Sequence, residues 1–113
     1  TISIAMATYN GGLYLQAQLE SFARQTWLPD ELVACDDNSL DDTFEILQKF
    51  KADAPFFVRI EQNSSNIGYV KNFEKAAVLC KSDVIFLSDQ DDVWFEEKIA
   101  RVISVFSENQ HTM

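Results

Sequence analysis

Short apolar, β-prone runs alternate with longer runs whose apolar residues recur at helical spacing, and the whole chain is built this way. Ile2-Ser3-Ile4-Ala5-Met6-Ala7 reads as a buried strand, and Thr8-Tyr9-Asn10-Gly11-Gly12 as the turn after it. Leu13, Leu15, Leu19, Phe22 and Ala23 then form a helical face that runs to about Gln25. Glu31-Leu32-Val33-Ala34-Cys35 is a second strand, and Phe44, Leu47 and Phe50 give the next helix its apolar side. Ser39 followed by Asp42 resembles a capping box for that helix, with Asp in place of the usual Glu. Pro55 ends the helix, and Phe56-Phe57-Val58-Arg59-Ile60 is a third strand. After a polar loop from Asn63 to Gly68, a helix spans Tyr69 to Cys80, with Val70, Phe73, Ala76, Ala77 and Cys80 on one side. Val84-Ile85-Phe86-Leu87 is the fourth and most apolar strand. A last helix from about Phe95 to Phe106 faces Ile99, Val102, Ile103 and Phe106 inward.

The order β-α-β-α-β-α-β-α predicts a single α/β domain over residues 1–113, with a Rossmann-like parallel sheet, right-handed crossovers and helices on both faces. In such sheets ligands bind beyond the carboxyl ends of the strands. The polar runs Thr8–Gly12, Asp36–Ser39 and Ser88–Asp92 all follow strands, so they are expected to gather along one edge.

Composition narrows the partners. The chain is 47% hydrophobic and 24% charged, which is an ordinary globular balance for one domain of 113 residues. A formal net charge of -9 argues against nucleic acid, whose phosphates would be repelled. It does not exclude a single nucleotide, because a divalent cation can reverse the local sign. Cys35 and Cys80 form no CxxC and are expected as free buried thiols of a reducing compartment. No apolar run reaches the length of a membrane span, and no signal peptide is visible. Thr1 opens inside a strand-like run and Met113 follows a helix closely, so the chain reads as a fragment of a longer protein.

Ser88-Asp89-Gln90-Asp91-Asp92 carries the strongest chemical signal: three carboxylates within four residues, directly after an apolar strand. Two carboxylates roughly 5 Å apart repel by about 3 kcal/mol at an effective dielectric near 20. A hard divalent cation, Mg²⁺ or Mn²⁺, relieves that repulsion and keeps open positions for phosphate oxygens. The competing reading is a solvated acidic turn at the start of the next helix. The apolar strand before the run and Trp94 after it favour the metal.

Three further runs are candidates. Asp37, at the end of the second strand, can accept a hydrogen bond from a ribose hydroxyl or a base N–H, or can simply complete the turn, while Ser39 caps the helix. Tyr9 offers a ring to a base, and Gly11 and Gly12 allow a tight turn with close approach of the backbone; a plain turn explains the run as well. Asn66-Ile67-Gly68 opens a helix that carries Lys71, which is either a phosphate contact or an exposed lysine beyond a capped helix.

Taken together these residues resemble family 2 glycosyltransferases of the GT-A fold, over essentially the whole chain. Ala7-Thr8-Tyr9-Asn10-Gly11 resembles that family's first-strand motif, and Gln25-Thr26-Trp27 the Q-T-aromatic segment that ends its first helix. Asp36-Asp37-Asn38-Ser39 with Asp42-Thr43 is similar to its D-D-x-S-x-D-x-T element, and Asn66-Ile67-Gly68 to its N-x-G loop. Ser88-Asp89-Gln90-Asp91-Asp92-Val93-Trp94 resembles the DxD motif of bacterial rhamnosyltransferase-like members, with one extra carboxylate.

The resemblance implies the N-terminal part of a GT-A fold and transfer of a sugar from a nucleoside diphosphate, UDP or dTDP, to an acceptor hydroxyl. It implies that Thr8, Tyr9, Asn10, Asp37, Asn66, Gly68 and Lys71 bind the nucleotide sugar, with Asp89 or Asp91 near the ribose and diphosphate. Asp91 or Asp92 would coordinate Mn²⁺ or Mg²⁺. It implies inversion, with a general base beyond residue 113, so no catalytic residue is assigned within the chain. The acceptor would be a glycan or a lipid-linked group, as in bacterial polysaccharide assembly. The full-length protein would be cytoplasmic, at the inner face of the plasma membrane.

Two alternatives remain at this point. Asp89-Gln90-Asp91-Asp92-Val93 loosely fits the DxDx[VT] nucleophile motif of haloacid-dehalogenase-like phosphohydrolases, which usually stands near the start of the domain. A receiver-like regulatory domain would need an acidic pair after the first strand, where this chain has Thr8-Tyr9-Asn10.

Overall fold

The structure, a computed structural model, describes residues 1–88 and 93–112. The strands are β1 (Ile2–Thr8), β2 (Glu31–Asp36), β3 (Phe57–Gln62) and β4 (Val84–Ser88). The helices are α1 (Gly12–Ala23), α2 (Thr43–Asp53), α3 (Tyr69–Leu79) and α4 (Lys98–Thr112). The element order is the expected one. The largest boundary shifts are at α4, which begins at Lys98 rather than near Phe95 and runs to Thr112 rather than to Phe106.

All strand pairs are parallel, in the order β3-β2-β1-β4. The chain steps outward from β1 to β2 to β3, then returns across β1 to lay down β4. Right-handed crossovers put the helices of outward steps on one face and the helix of the return on the other. Leu15, Leu19 and Phe22 of α1, Leu47 of α2 and Ile99 of α4 accordingly share a core with Ile4, Met6, Leu32 and Phe86. Ala76 of α3 packs on the opposite face against Ala5, Val33 and Cys35. The central strands β1 and β2 are buried along their whole length, as a sheet covered on both sides requires.

Several expected core positions lie outside. Leu13 is 83% exposed and Val70 65% exposed, because each sits in the first turn of its helix, beyond the sheet's cover. On β4, Ile85 and Leu87 are uncovered although the strand reads as the most apolar. Cys35 is buried and free, and burial pushes its thiol up to about 11; Cys80 is also free but only half-buried.

The register fixes the working edge. Thr8 is level with Asp36, and Asp36 with Gln62, so the segments after β1, β2 and β3 leave the sheet side by side. Ser88 ends β4 beside Met6.

Candidate functional site

Asp37, the first residue beyond β2, organises this edge. Its backbone N–H donates to the Thr8 carbonyl at 2.9 Å, which sets the β2 exit against the end of β1. Its side chain is buried and accepts three hydrogen bonds. Asn63 Nδ2 and the Ile67 N–H reach Oδ1 at 2.9 and 2.8 Å, and the Gly68 N–H reaches Oδ2 at 2.9 Å. Burial alone would raise the Asp37 carboxyl. The bonds from Ile67, Asn63 and Gly68, with the Lys75 ammonium nearby, overcome it and hold the group below the usual carboxylate range. A carboxylate offers about four acceptor sites, so Oδ2 keeps one for a ligand N–H or O–H.

Gly68 makes this possible. It sits at φ 92, where only glycine rests without strain, and turns its N–H toward Asp37 as α3 begins. Asn72, one turn into α3, is buried and donates from Nδ2 to the Cys35 carbonyl at 2.8 Å. Thr8 Oγ1 donates to Asp36 Oδ1 at 2.8 Å.

These loops enclose a cavity of about 400 Å³ lined by Thr8, Tyr9, Asp37, Asn66, Gly68, Tyr69 and Asn72, together with Ala7. Tyr9 and Tyr69 are both partly exposed and supply flat apolar surface, while Asp37 supplies a buried anionic acceptor. A planar heterocycle with an N–H edge matches that pairing of ring surface and acceptor.

Five of the expected ligand residues, Thr8, Tyr9, Asp37, Asn66 and Gly68, thus meet at one cavity. Asn10 does not line it. This residue takes φ 49, accepts from the Leu40 N–H at 2.8 Å and donates its own N–H to Ser39 Oγ at 2.9 Å, so it laces the β1 and β2 loops together. Lys71 lies on the exposed side of α3 and is not part of the cavity wall.

Two local expectations are corrected. Ser39 is not a helix cap. Its hydroxyl donates to Asp36 Oδ1 and accepts from Asn10, and α2 begins only at Thr43. Asp41 does the capping instead, accepting from the Thr43 N–H at 3.0 Å and hydroxyl and from the Gly12 N–H of α1 at 3.1 Å. The turn after β1 is made by Asn10 at positive φ, not by Gly11, whose φ is -103. Gly12 serves close approach: a Cβ there would lie 2.2 Å from Asp42 Oδ1.

Asp89, Asp91 and Asp92 lie outside the described residues. Among the described residues, no three His, Cys, Asp or Glu side chains gather as metal ligands. The segments flanking the acidic run are held by a buried polar stripe on α1 and the residues just after it. Gln18 Nε2 donates to Ser88 Oγ at 2.9 Å, and the Trp94 N–H donates to Ser21 Oγ at 3.1 Å. Gln25 donates to the Phe95 carbonyl at 2.6 Å and accepts from the Ile99 N–H at 3.1 Å. Trp94 is buried edge-on against Phe22, with Lys98 Nζ 4.1 Å from its ring centroid. Sequence reasoning missed Gln18, Ser21, Asn63 and Lys75; only Gln25 stood within a quoted motif.

Residues 3–113 match the family model "Glycosyl transferase family 2". The chain belongs to this family. The family 2 assignment sets aside the phosphohydrolase and receiver alternatives. The chain is 35% identical over 102 residues to a dTDP-rhamnosyl transferase, RfbG, of Shigella flexneri, covering 87% of this chain and 35% of that protein. It is 32% identical over 102 residues to the Escherichia coli UDP-Glc:alpha-D-GlcNAc-diphosphoundecaprenol beta-1,3-glucosyltransferase WfaP, covering 90% of this chain and 39% of that one. The S. aureus TarS 1-349 structure in complex with UDP-GlcNAc superposes with a TM-score of 0.87 at 26% identity, over 96% of this chain and 31% of that 1-349 chain. The family 2 chain therefore spans little more than a third of these curated relatives, and its fold is the one seen in the TarS structure.

Proposed function

We propose that this chain is the nucleotide-sugar-binding portion of an inverting glycosyltransferase. The reaction would move a sugar from a UDP- or dTDP-linked donor to a hydroxyl of a glycan or lipid-linked acceptor. The observation that carries this reading is the cavity in which Tyr9, Asp37 and the Asn66–Gly68 loop meet. Tyr9 and Tyr69 would flank the base, and the spare acceptor of Asp37 Oδ2 would take its N–H or a ribose hydroxyl. Family membership, the dTDP-rhamnosyl transferase relative and the UDP-GlcNAc complex of TarS support the donor class.

Asp91 or Asp92 would hold Mn²⁺ or Mg²⁺, with Asp89 or Asp91 toward the ribose and diphosphate. When bound, the cation supplies a Lewis acid for charge developing on the leaving diphosphate. The acidic run suits a hard cation by its oxygen donors, and a Mn²⁺ complex of a mannosyltransferase with the same fold supports the choice. The general base that deprotonates the acceptor is placed outside these 113 residues. The same reading puts the reaction in the cytoplasm, peripheral to the plasma membrane, where a lipid-linked acceptor of the kind in WfaP's name is presented.

Calorimetry tests the proposal directly. UDP or dTDP should bind, and more tightly with Mn²⁺ present. Asp91→Asn or Asp92→Asn should weaken binding far more than Asp53→Asn, an exposed acid at the end of α2. Equal effects from the three would overturn the metal assignment, and no nucleotide binding at all would overturn the function.

A further inference from the structure

Outside the wall of the cavity, a chain of side chains runs from a cation to Asp37. Lys75, two-thirds along α3, donates from Nζ to Asn63 Oδ1 at 2.6 Å. Asn63 spends both amide hydrogens: Nδ2 donates to Asp37 Oδ1 at 2.9 Å and to Asn72 Oδ1 at 2.9 Å. Asn72 in turn donates to the Cys35 carbonyl. Asn63 and Asn72 are 6% and 1% exposed, so lost partners are not replaced cheaply by water.

The order of these groups admits one orientation of the Asn63 amide. Lys75 has only donors to give and Asp37 only acceptors. Turned over, Asn63 would set its oxygen against the Asp37 carboxylate and the Asn72 oxygen, and its NH₂ against an ammonium. The cation therefore selects the orientation in which Asn63 reaches Asp37, and bonds aligned head to tail polarise one another. Asp37 passes the constraint on, because the same carboxylate holds the N–H groups of Ile67 and Gly68. Lys75 itself does not line the nucleotide cavity; it borders a separate hollow with Gln62, Ser64 and Ser65.

We propose that Lys75 is a positioning residue for the nucleotide: it fixes the Asn63 amide from behind, and through it holds Asp37 and the Ile67-Gly68 turn in the form that receives the base. The proposal rests on the reading of the cavity as the nucleotide site. Neither Asn63 nor Lys75 need touch the ligand.

UDP affinity of the protein, measured by calorimetry, tests it with four variants. Lys75→Met removes the donor and should weaken UDP about tenfold, with Lys75→Ala as a second donor-free replacement should the Met variant fail to fold. Lys75→Arg keeps a cationic donor and should bind within about twofold of the unsubstituted protein. Lys49→Met removes the same charge from an exposed site on α2 and should also stay within about twofold. In the Lys75→Met protein the Asn63 side-chain amide hydrogens should exchange with solvent faster by NMR, with no nucleotide present. Unchanged affinity in Lys75→Met, an Arg variant as weak as the Met one, or equal weakening by Lys49→Met would each overturn the proposal. Absence of UDP binding by the unsubstituted protein would instead overturn the functional reading, and this inference with it.

Discussion

The side-chain amide of Gln18 donates to the hydroxyl of Ser88 across 2.9 Å, tying the middle of α1 to the last residue of β4. Both residues are fully buried. Gln18→Ala should remove this buried bond and open a small cavity, costing about 2–3 kcal/mol. Urea unfolding measures the loss; a change below about 0.5 kcal/mol would show that the bond contributes nothing net.

Acid should weaken the fold through Asp37 and Asp41. Burial raises both groups, but the hydrogen bonds each accepts hold both below the usual carboxylate range. A depressed folded-state value gives stability that is fully present above the unfolded value and lost as pH falls below it. Urea midpoints measured from pH 7 down to 3 should therefore drop below about pH 4. Asp37→Asn should be less stable by about 2 kcal/mol at pH 7, because one amide oxygen replaces two carboxylate acceptors, and should show a shallower acid slope. Parallel acid slopes would remove Asp37 from the explanation.

Gly68→Ala isolates a backbone effect. A Cβ at this position meets nothing within 4 Å, so no clash contributes. The φ of 92 is itself the obstacle, and should cost about 1–3 kcal/mol. Relaxation of that strain would swing the Gly68 N–H away from Asp37, so UDP affinity should fall in step. A variant with native stability and native affinity would contradict both expectations.

Asp41→Ala should act on two helices at once. Its carboxylate caps the start of α2 through Thr43 and takes the Gly12 N–H of α1. The expected loss is about 1–2 kcal/mol, at the upper end for a single cap. Thermal unfolding reads it, and Asp42→Ala, whose side chain makes no capping bond, should cost much less.

The fold was legible because both of its periodicities were. Ile4, Met6, Leu32 and Ala34 alternate inward on the central strands, and Leu15, Leu19 and Phe22 repeat at helical spacing. The loops after β1 and β2 were legible as polar breaks, and the parallel order placed Tyr9 and Asp37 together. The buried polar stripe was not. Gln18, Ser21 and Gln25 look like a solvent face, since a pattern of polar residues does not reveal that a neighbouring segment covers them. Ser39 misled for a related reason: the capping spacing is local, whereas its hydroxyl is engaged by Asn10, 29 residues away. Lys75 was hidden because its partner Asn63 lies in a loop, and spacing along a helix cannot report on that.

The sheet order leaves β4 at a margin, with Ile85 39% and Leu87 61% uncovered beside the apolar flank of α3. Such a strand, short of a neighbour among the described residues, is a seam to which another extended backbone can be stitched. Handled alone at high concentration, these 113 residues should self-associate through that seam, and a lysine in place of Leu87 should keep them dispersed.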